Sequence, residues 1–183
     1  GQAQRVQDET LVNIILLKMK KSYAFFIINE VWKRVSVKIA SSPVNSRKFK
    51  STMNVMGMIC PRTGEFFAIE TSHSDTETFQ AFLDEAGDTI RLERSKNILI
   101  LDNASWHKKK TLGFHGWQPK FLPPYSPDFN PIERIWNTMK ARGFNNHVCK
   151  NAQQLMDRLD QAILDVINNP ERNQKTVSIG TLF

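Results

Sequence analysis

Two apolar runs in this chain end in the same way. Residues 23–28 are followed by Asn29 and Glu30, and residues 98–101 by Asp102 and Asn103. If both runs are parallel neighbouring strands, their carboxyl ends deliver these polar side chains to one edge of a sheet, where ligands gather in open α/β folds. A further carboxylate, Glu133, follows the proline-rich stretch Pro123-Pro124-Tyr125-Ser126-Pro127-Asp128-Phe129. It falls in the first turn of a helix, from which the loop can bring it over the same edge. Such an oxygen-rich set suits Mg²⁺ or Mn²⁺, which prefer hard carboxylate ligands and keep positions open for phosphate oxygens. Duller roles compete. Asp102 can cap a helix that starts near Ala104, and Glu133, three residues after Asn130, holds the place of a capping-box glutamate.

The elements that must position these groups are legible from periodicity. The continuous apolar run over 23–28 reads as a buried strand, and the alternation over 31–39 as a half-exposed neighbour. Residues 53–60 and 66–70 flank Pro61-Arg62-Thr63-Gly64, a turn sequence, and predict a hairpin. A capping box from Ser74 to Glu77, with Phe79, Phe82, Leu83 and Ala86 at helical spacing, predicts a helix from the mid-seventies to the high eighties. Residues 98–101 form a second buried strand, and 120–122 a shorter extended piece. Asn130 caps the next helix with Pro131 in its first position and Ile132, Ile135, Trp136 and Met139 as its buried stripe. A last helix covers 152–168, with Leu155, Met156, Leu159, Ala162, Ile163, Val166 and Ile167 on one face, and Pro170 ends it. Residues 171–183 carry no clear signal. The pattern is an α/β fold, a mixed sheet covered by helices.

A chain of 183 residues with 40% apolar content has the size of one domain with a sizeable core. Its 25 Lys and Arg against 18 Asp and Glu give a formal charge of +7, which suits a polyanion, nucleic acid first. Cys60 and Cys149 stand far apart without ligand spacing, so neither a zinc site nor a disulfide framework is indicated. The apolar stretch over 11–17 is too short to span a bilayer and runs into lysines, so a soluble, cytoplasmic protein with no membrane partner is expected.

One stretch is more specific. Leu101-Asp102-Asn103-Ala104-Ser105-Trp106-His107-Lys108, followed by Leu122-Pro123-Pro124-Tyr125-Ser126-Pro127-Asp128-Phe129-Asn130-Pro131-Ile132-Glu133, closely resembles the second half of DDE transposases of the mariner superfamily, in their bacterial insertion-sequence branch. The resemblance extends more weakly over residues 25–139. It implies an RNase H-like fold in which three acids hold two Mg²⁺ or Mn²⁺ ions, with Asp102 as second acid and Glu133 as third. The family usually ends its first strand in Asp-Glu, whereas this chain has Asn29-Glu30. Asn29 stands in the aspartate's place, and an amide oxygen brings no negative charge to the ion. Glu30 is no substitute, because adjacent strand side chains point to opposite faces. Thirty residues separate Asp102 from Glu133, somewhat fewer than the family usually has, and the shortfall falls in a trimmed connection over 109–118.

The implied reaction is two-metal phosphoryl transfer, which cleaves DNA at an element's end and then joins the freed 3′-hydroxyl to target DNA. The implied partners are those DNA ends and target, with a homodimer at work, no small-molecule cofactor, and the nucleoid as location if the source is bacterial. End recognition in the family normally uses an N-terminal helix-turn-helix region, and none is visible ahead of Gln7. Lys108, Lys109 and Lys110, beside Trp106 and His107, are candidates for phosphate contact. Asn137 and Lys140 share a helix face with Glu133 and are candidates to line a DNA path, a solvated face being the alternative for Asn137. His107 as a metal ligand has no second His or Cys at suitable spacing. Trp32, Trp117 and Trp136 read as core or interface aromatics. Two other functions fit the same residues: a transposase-derived DNA-binding protein whose metal site has lapsed, and another RNase H-like nuclease that cuts without joining.

Overall fold

The computed structural model describes residues 24–28 (backbone), 54–71, 74–90, 97–123, 130–145 and 149–178. Strands β1 (Ala24–Ile28), β2 (Asn54–Ile59), β3 (Phe66–Thr71), β4 (Asn97–Leu101) and β5 (Trp117–Phe121) form one sheet in the order β3-β2-β1-β4-β5. The β1–β2 and β2–β3 pairs are antiparallel, and the β1–β4 and β4–β5 pairs parallel. The mixed sheet is thus as the sequence implied. The strand expected over 31–39 lies outside the described residues.

Both faces of the sheet are covered, which is why the interior strand β4 reads as a continuous apolar run and not as an alternating one. On one face Met56, Met58, Leu99, Leu101 and Trp117 pack against helix α1 (Thr76–Thr89) through Phe79, Phe82, Leu83 and Ala86. Each of those large side chains contributes roughly 1.5–3 kcal/mol by leaving water. On the other face Val55, Ile59, Phe66, Ile100 and Leu122 meet helices α2 (Ile132–Gly143), α3 (Ala152–Ile167) and α4 (Pro170–Val177). Trp117 and Trp136 are core residues, at 3% and 0% exposure. Trp32 is outside the described residues. Cys60 and Cys149 are buried free thiols. No helix among the described residues is long and apolar enough to cross a membrane.

Several local expectations shift. The N-cap of α1 is Asp75, whose carboxylate accepts the Thr78 N–H at 2.8 Å, and not Ser74. The extended piece at 120–122 belongs to a longer strand that starts at Trp117; as an edge strand it tolerates Pro119, which has no N–H to give. Helix α2 starts from the Asn130 carbonyl, which accepts the Glu133 N–H at 3.1 Å, while the Asn130 side-chain oxygen is buried without a partner and caps nothing. Met156 and Ile167 are 40% and 41% exposed, so the buried stripe of α3 is the narrower set Leu155, Leu159, Ala162, Ile163 and Val166.

Pro170 ends α3 but also opens α4, in the first-turn position where its missing N–H costs no hydrogen bond. Helix α4 is tied to the β2–β3 turn. Asn173, 1% exposed, donates through Nδ2 to the carbonyls of Gly64 (2.9 Å) and Val166 (2.7 Å). Gly64 has φ of 75°, and a Cβ there would stand 1.8 Å from the Pro170 oxygen, so this contact requires glycine.

Candidate active site

Strands β1 and β4 run parallel, with Ile27 opposite Leu101. Their carboxyl ends therefore reach the same edge of the sheet. Asp102 is the first residue beyond β4, with its side chain 36% exposed. Asn29 directly follows β1 in sequence and lies outside the described residues. Glu133 occupies the first turn of α2, half-buried, one residue after Ile132. Ile132 shares a core cluster with Ile100, two residues before Asp102, and α2 packs against β1. The packing of α2 thus carries Glu133 over the sheet face that β1 and β4 form. The proline loop between them, 124–129, is outside the described residues.

Asp102 is held from one side. Its Oδ1 accepts the Ala104 N–H at 3.0 Å and stands 2.7 Å from Nδ1 of His107. The expected capping role is met in this limited form: the carboxylate closes a turn ahead of the short 3₁₀ helix Ser105–Lys108, whose own N-cap, Ala104, has no side-chain bond. The chain from Lys109 to Gly116 forms turns and no α-helix.

His107 corrects an expectation. Its ring is 0% exposed and packs on Phe79 of α1, with centroids 4.2 Å apart. A side chain with no surface cannot meet a phosphate, so His107 leaves the DNA-contact set and joins Asp102. Trp106 is half-buried, edge-on to His107 at 6.1 Å. Lys108, Lys109 and Lys110 are exposed, and the Lys108 ammonium sits 5.5 Å from the centre of the Phe121 ring. Asn137 is exposed and Lys140 half-buried, both on the helix face of Glu133. Sequence reasoning missed Phe79 as the support behind the site; its helical spacing marked it only as core.

The segment that carries the lysines is fastened to α1. Gln80 receives the Gly113 N–H at 2.7 Å and donates to the Gly113 carbonyl at 3.1 Å. Asp84 stands 2.6 Å from His115 Nε2 and accepts from Gln80 at 2.6 Å. These bonds, His115 first, hold the Asp84 carboxyl below its ordinary range.

As donors, Asp102 at the sheet edge and Glu133 at the start of α2 are hard carboxylates, both partly open to solvent, of the type that suits a Mg²⁺ or Mn²⁺ ion. Among the described residues no three His, Cys, Asp or Glu side chains form a metal-holding group.

Known proteins bear on this arrangement. The model of the DDE superfamily endonuclease family matches residues 26–156. An uncharacterized protein y4pE/y4sA of Sinorhizobium fredii is 31% identical over 127 residues, 69% of this chain and 91% of that protein. The insertion element IS630 39 kDa protein of Shigella sonnei is 30% identical over 109 residues, 56% of this chain but only 31% of that protein. Among solved structures, the catalytic domain of Mos1 mariner transposase superposes with a TM-score of 0.60 at 14% identity, covering 97% of this chain and 94% of that one. A Mos1 paired end complex with Mn gives 0.61 at 16% identity, over 100% of this chain and 64% of that one. The chain therefore spans about a third of the insertion-element protein and under two thirds of that Mos1 chain. The sheet order and these superpositions make the fold RNase H-like. With the family match running from within β1 past α2, across every strand and both acids, this chain belongs to the DDE superfamily of endonucleases.

Proposed function

We propose that this chain is the catalytic domain of an insertion-element transposase, which cuts DNA at an element end and joins the freed 3′-end to target DNA. What supports the reading is the placement of Asp102 at the carboxyl end of β4, beside parallel β1, together with Glu133 in the first turn of α2, whose Ile132 packs with Ile100 of β4. Asp102 and Glu133 hold Mg²⁺ or Mn²⁺, and Asn29 stands in for the first acid. When bound, a metal pair activates the attacking oxygen and stabilises the leaving one. The chain's own residues hold these ions and direct the DNA: Lys108, Lys109 and Lys110 meet phosphates, Lys140 and Asn137 extend the path along α2, and Trp106 borders it. Mos1, similar in fold, forms paired end complexes, one of them with Mn, which supports two DNA ends and a homodimer as the working assembly. Such a protein acts on the DNA of the cytoplasm and its nucleoid.

Asn29 makes the chain as written an impaired catalyst, because an amide cannot offset the ion's charge as a carboxylate does. The test is Asn29→Asp, with nicking of supercoiled DNA in Mn²⁺ as readout. Restored nicking is expected; a folded, metal-supplied variant that neither binds Mn²⁺ nor cuts sinks the reading in favour of a DNA-binding descendant. Joining of a pre-cut 3′-end separates a transposase from a nuclease that only cleaves.

A further inference from the structure

His107 is the most deeply buried polar group beside the site, and no catalytic step uses it. Its ring lies at 0% exposure against Phe79, itself fully buried in α1, and Trp106 closes it edge-on. Among the described residues, the only polar contact of the ring is with Asp102, Nδ1 to Oδ1 at 2.7 Å. Neither ring nitrogen makes a hydrogen bond of regular geometry: at Nδ1 the N–H direction is not in line with that oxygen, and Nε2 is buried without a partner. With a carboxylate oxygen 2.7 Å from Nδ1 in dry surroundings, the ring dipole is favoured with its positive N–H end on the near side and its lone pair on the far side, so the proton of the neutral ring belongs on Nδ1. Its other nitrogen is then the bare acceptor, which costs less to bury unpartnered than an N–H aimed at nothing.

The consequence falls on Asp102. Its Oδ1 is engaged twice, by the Ala104 N–H and by His107, and among the described residues no donor reaches Oδ2. We infer that His107 is a positioning residue: its Nδ1 edge, backed by Phe79, holds Asp102 Oδ1 through the close polar contact at 2.7 Å and so presents Oδ2 as the single oxygen offered to a divalent cation. Ligating carboxylates are commonly oriented by outer polar partners, and the loss of such a partner weakens metal affinity about 10–100-fold. This rests on the reading of Asp102 as a metal ligand proposed above.

The test uses the Asn29→Asp chain and a Mn²⁺ titration read by the electron paramagnetic resonance of free Mn²⁺, with His107→Asn, His107→Gln and His107→Leu. Asparagine places its amide nitrogen where Nδ1 stands, whereas glutamine places it at the Nε2 position. His107→Asn is expected to retain Mn²⁺ affinity, and His107→Gln and His107→Leu to lose about 10–100-fold. Equal affinity of the Asn and Gln variants overturns the proposal, as does a folded Leu variant that binds like its parent. A second readout needs no metal: the ¹⁵N shifts of His107 in the unaltered chain should show the proton on Nδ1, and an Nε2–H tautomer overturns the inference. If the Asn29→Asp parent with His107 intact binds no Mn²⁺, the metal reading fails, and the ¹⁵N result still decides whether His107 holds Asp102.

Discussion

Trp136 of α2 lies directly on Gly57 of β2. A Cβ at position 57 would meet Trp136 Cη2 at 2.8 Å and Cζ2 at 3.0 Å, with Phe66 Cζ at 3.2 Å. The Phe66 and Trp136 rings meet edge-on with centroids 5.6 Å apart. Glycine in a strand interior weakens the strand, and here its use is to admit a backbone-close aromatic from the facing helix. Because Trp136 is one helical turn beyond Glu133, the depth at which its ring seats sets how α2 lies over the sheet.

Gly57→Ala should therefore destabilise the fold by about 1–3 kcal/mol, as overpacking of a filled core does. Urea unfolding of the purified chain measures it. A variant as stable as the parent would mean that α2 yields freely, and that the seat of Trp136 does not fix its position.

In the Asn29→Asp background, Asp102→Asn and Glu133→Gln should each lower Mn²⁺-supported DNA nicking by at least about a hundredfold, since a lost ligand costs no less than a lost outer partner. Chelation with EDTA should abolish nicking, and excess Mn²⁺ restore it. Nicking that survives EDTA would remove both residues from the chemistry.

Replacing Lys108, Lys109 and Lys110 one at a time with Ala should weaken DNA binding equally for unrelated sequences. Each removed phosphate contact should flatten the slope of log K against log salt by about 0.9. Fluorescence anisotropy over a salt series reads both effects. An unchanged slope for all three places the DNA path elsewhere.

Glu70 of β3 faces Asp160 of α3, and partial desolvation, then the charge and hydrogen bond of Asp160, hold its carboxyl above the ordinary value of 4.5. The folded chain keeps this proton to higher pH than the unfolded chain, so the pair favours the fold at low pH and loses that advantage as pH rises through the raised value. Glu70→Gln should raise the unfolding free energy at pH 7 by less than about 1 kcal/mol, because the group is largely exposed, with a correspondingly higher Tm, and should have no effect near pH 4. A stabilisation independent of pH would rule out the shared proton as its cause.

Much of the site was legible because its markers are local. An apolar run flanked by polar residues announces a strand end whatever packs around it, so Asp102 and the position of Asn29 could be placed on strand ends from the residues alone. The stripe Ile132, Ile135, Trp136 and Met139 proved to be the buried face of α2, since 3.6-residue periodicity is a property of the segment itself. The seven-residue stripe read on α3 was too wide, because how much of an apolar arc is covered depends on neighbours, and there Met156 and Ile167 stay exposed.

The sequence by itself determined the fold class, the order of most elements, the basic charge and the presence of two acids with an amide where a third is expected. Only the tertiary structure decided that His107 turns inward to Asp102 and not outward with the lysines. A histidine between a tryptophan and three lysines carries no local sign of burial; what buries it is Phe79, twenty-eight residues earlier, on a helix that the fold lays behind β4. The same holds for α4, whose proline reads equally as a stop or a start until Asn173 is seen fastening it to the Gly64 turn.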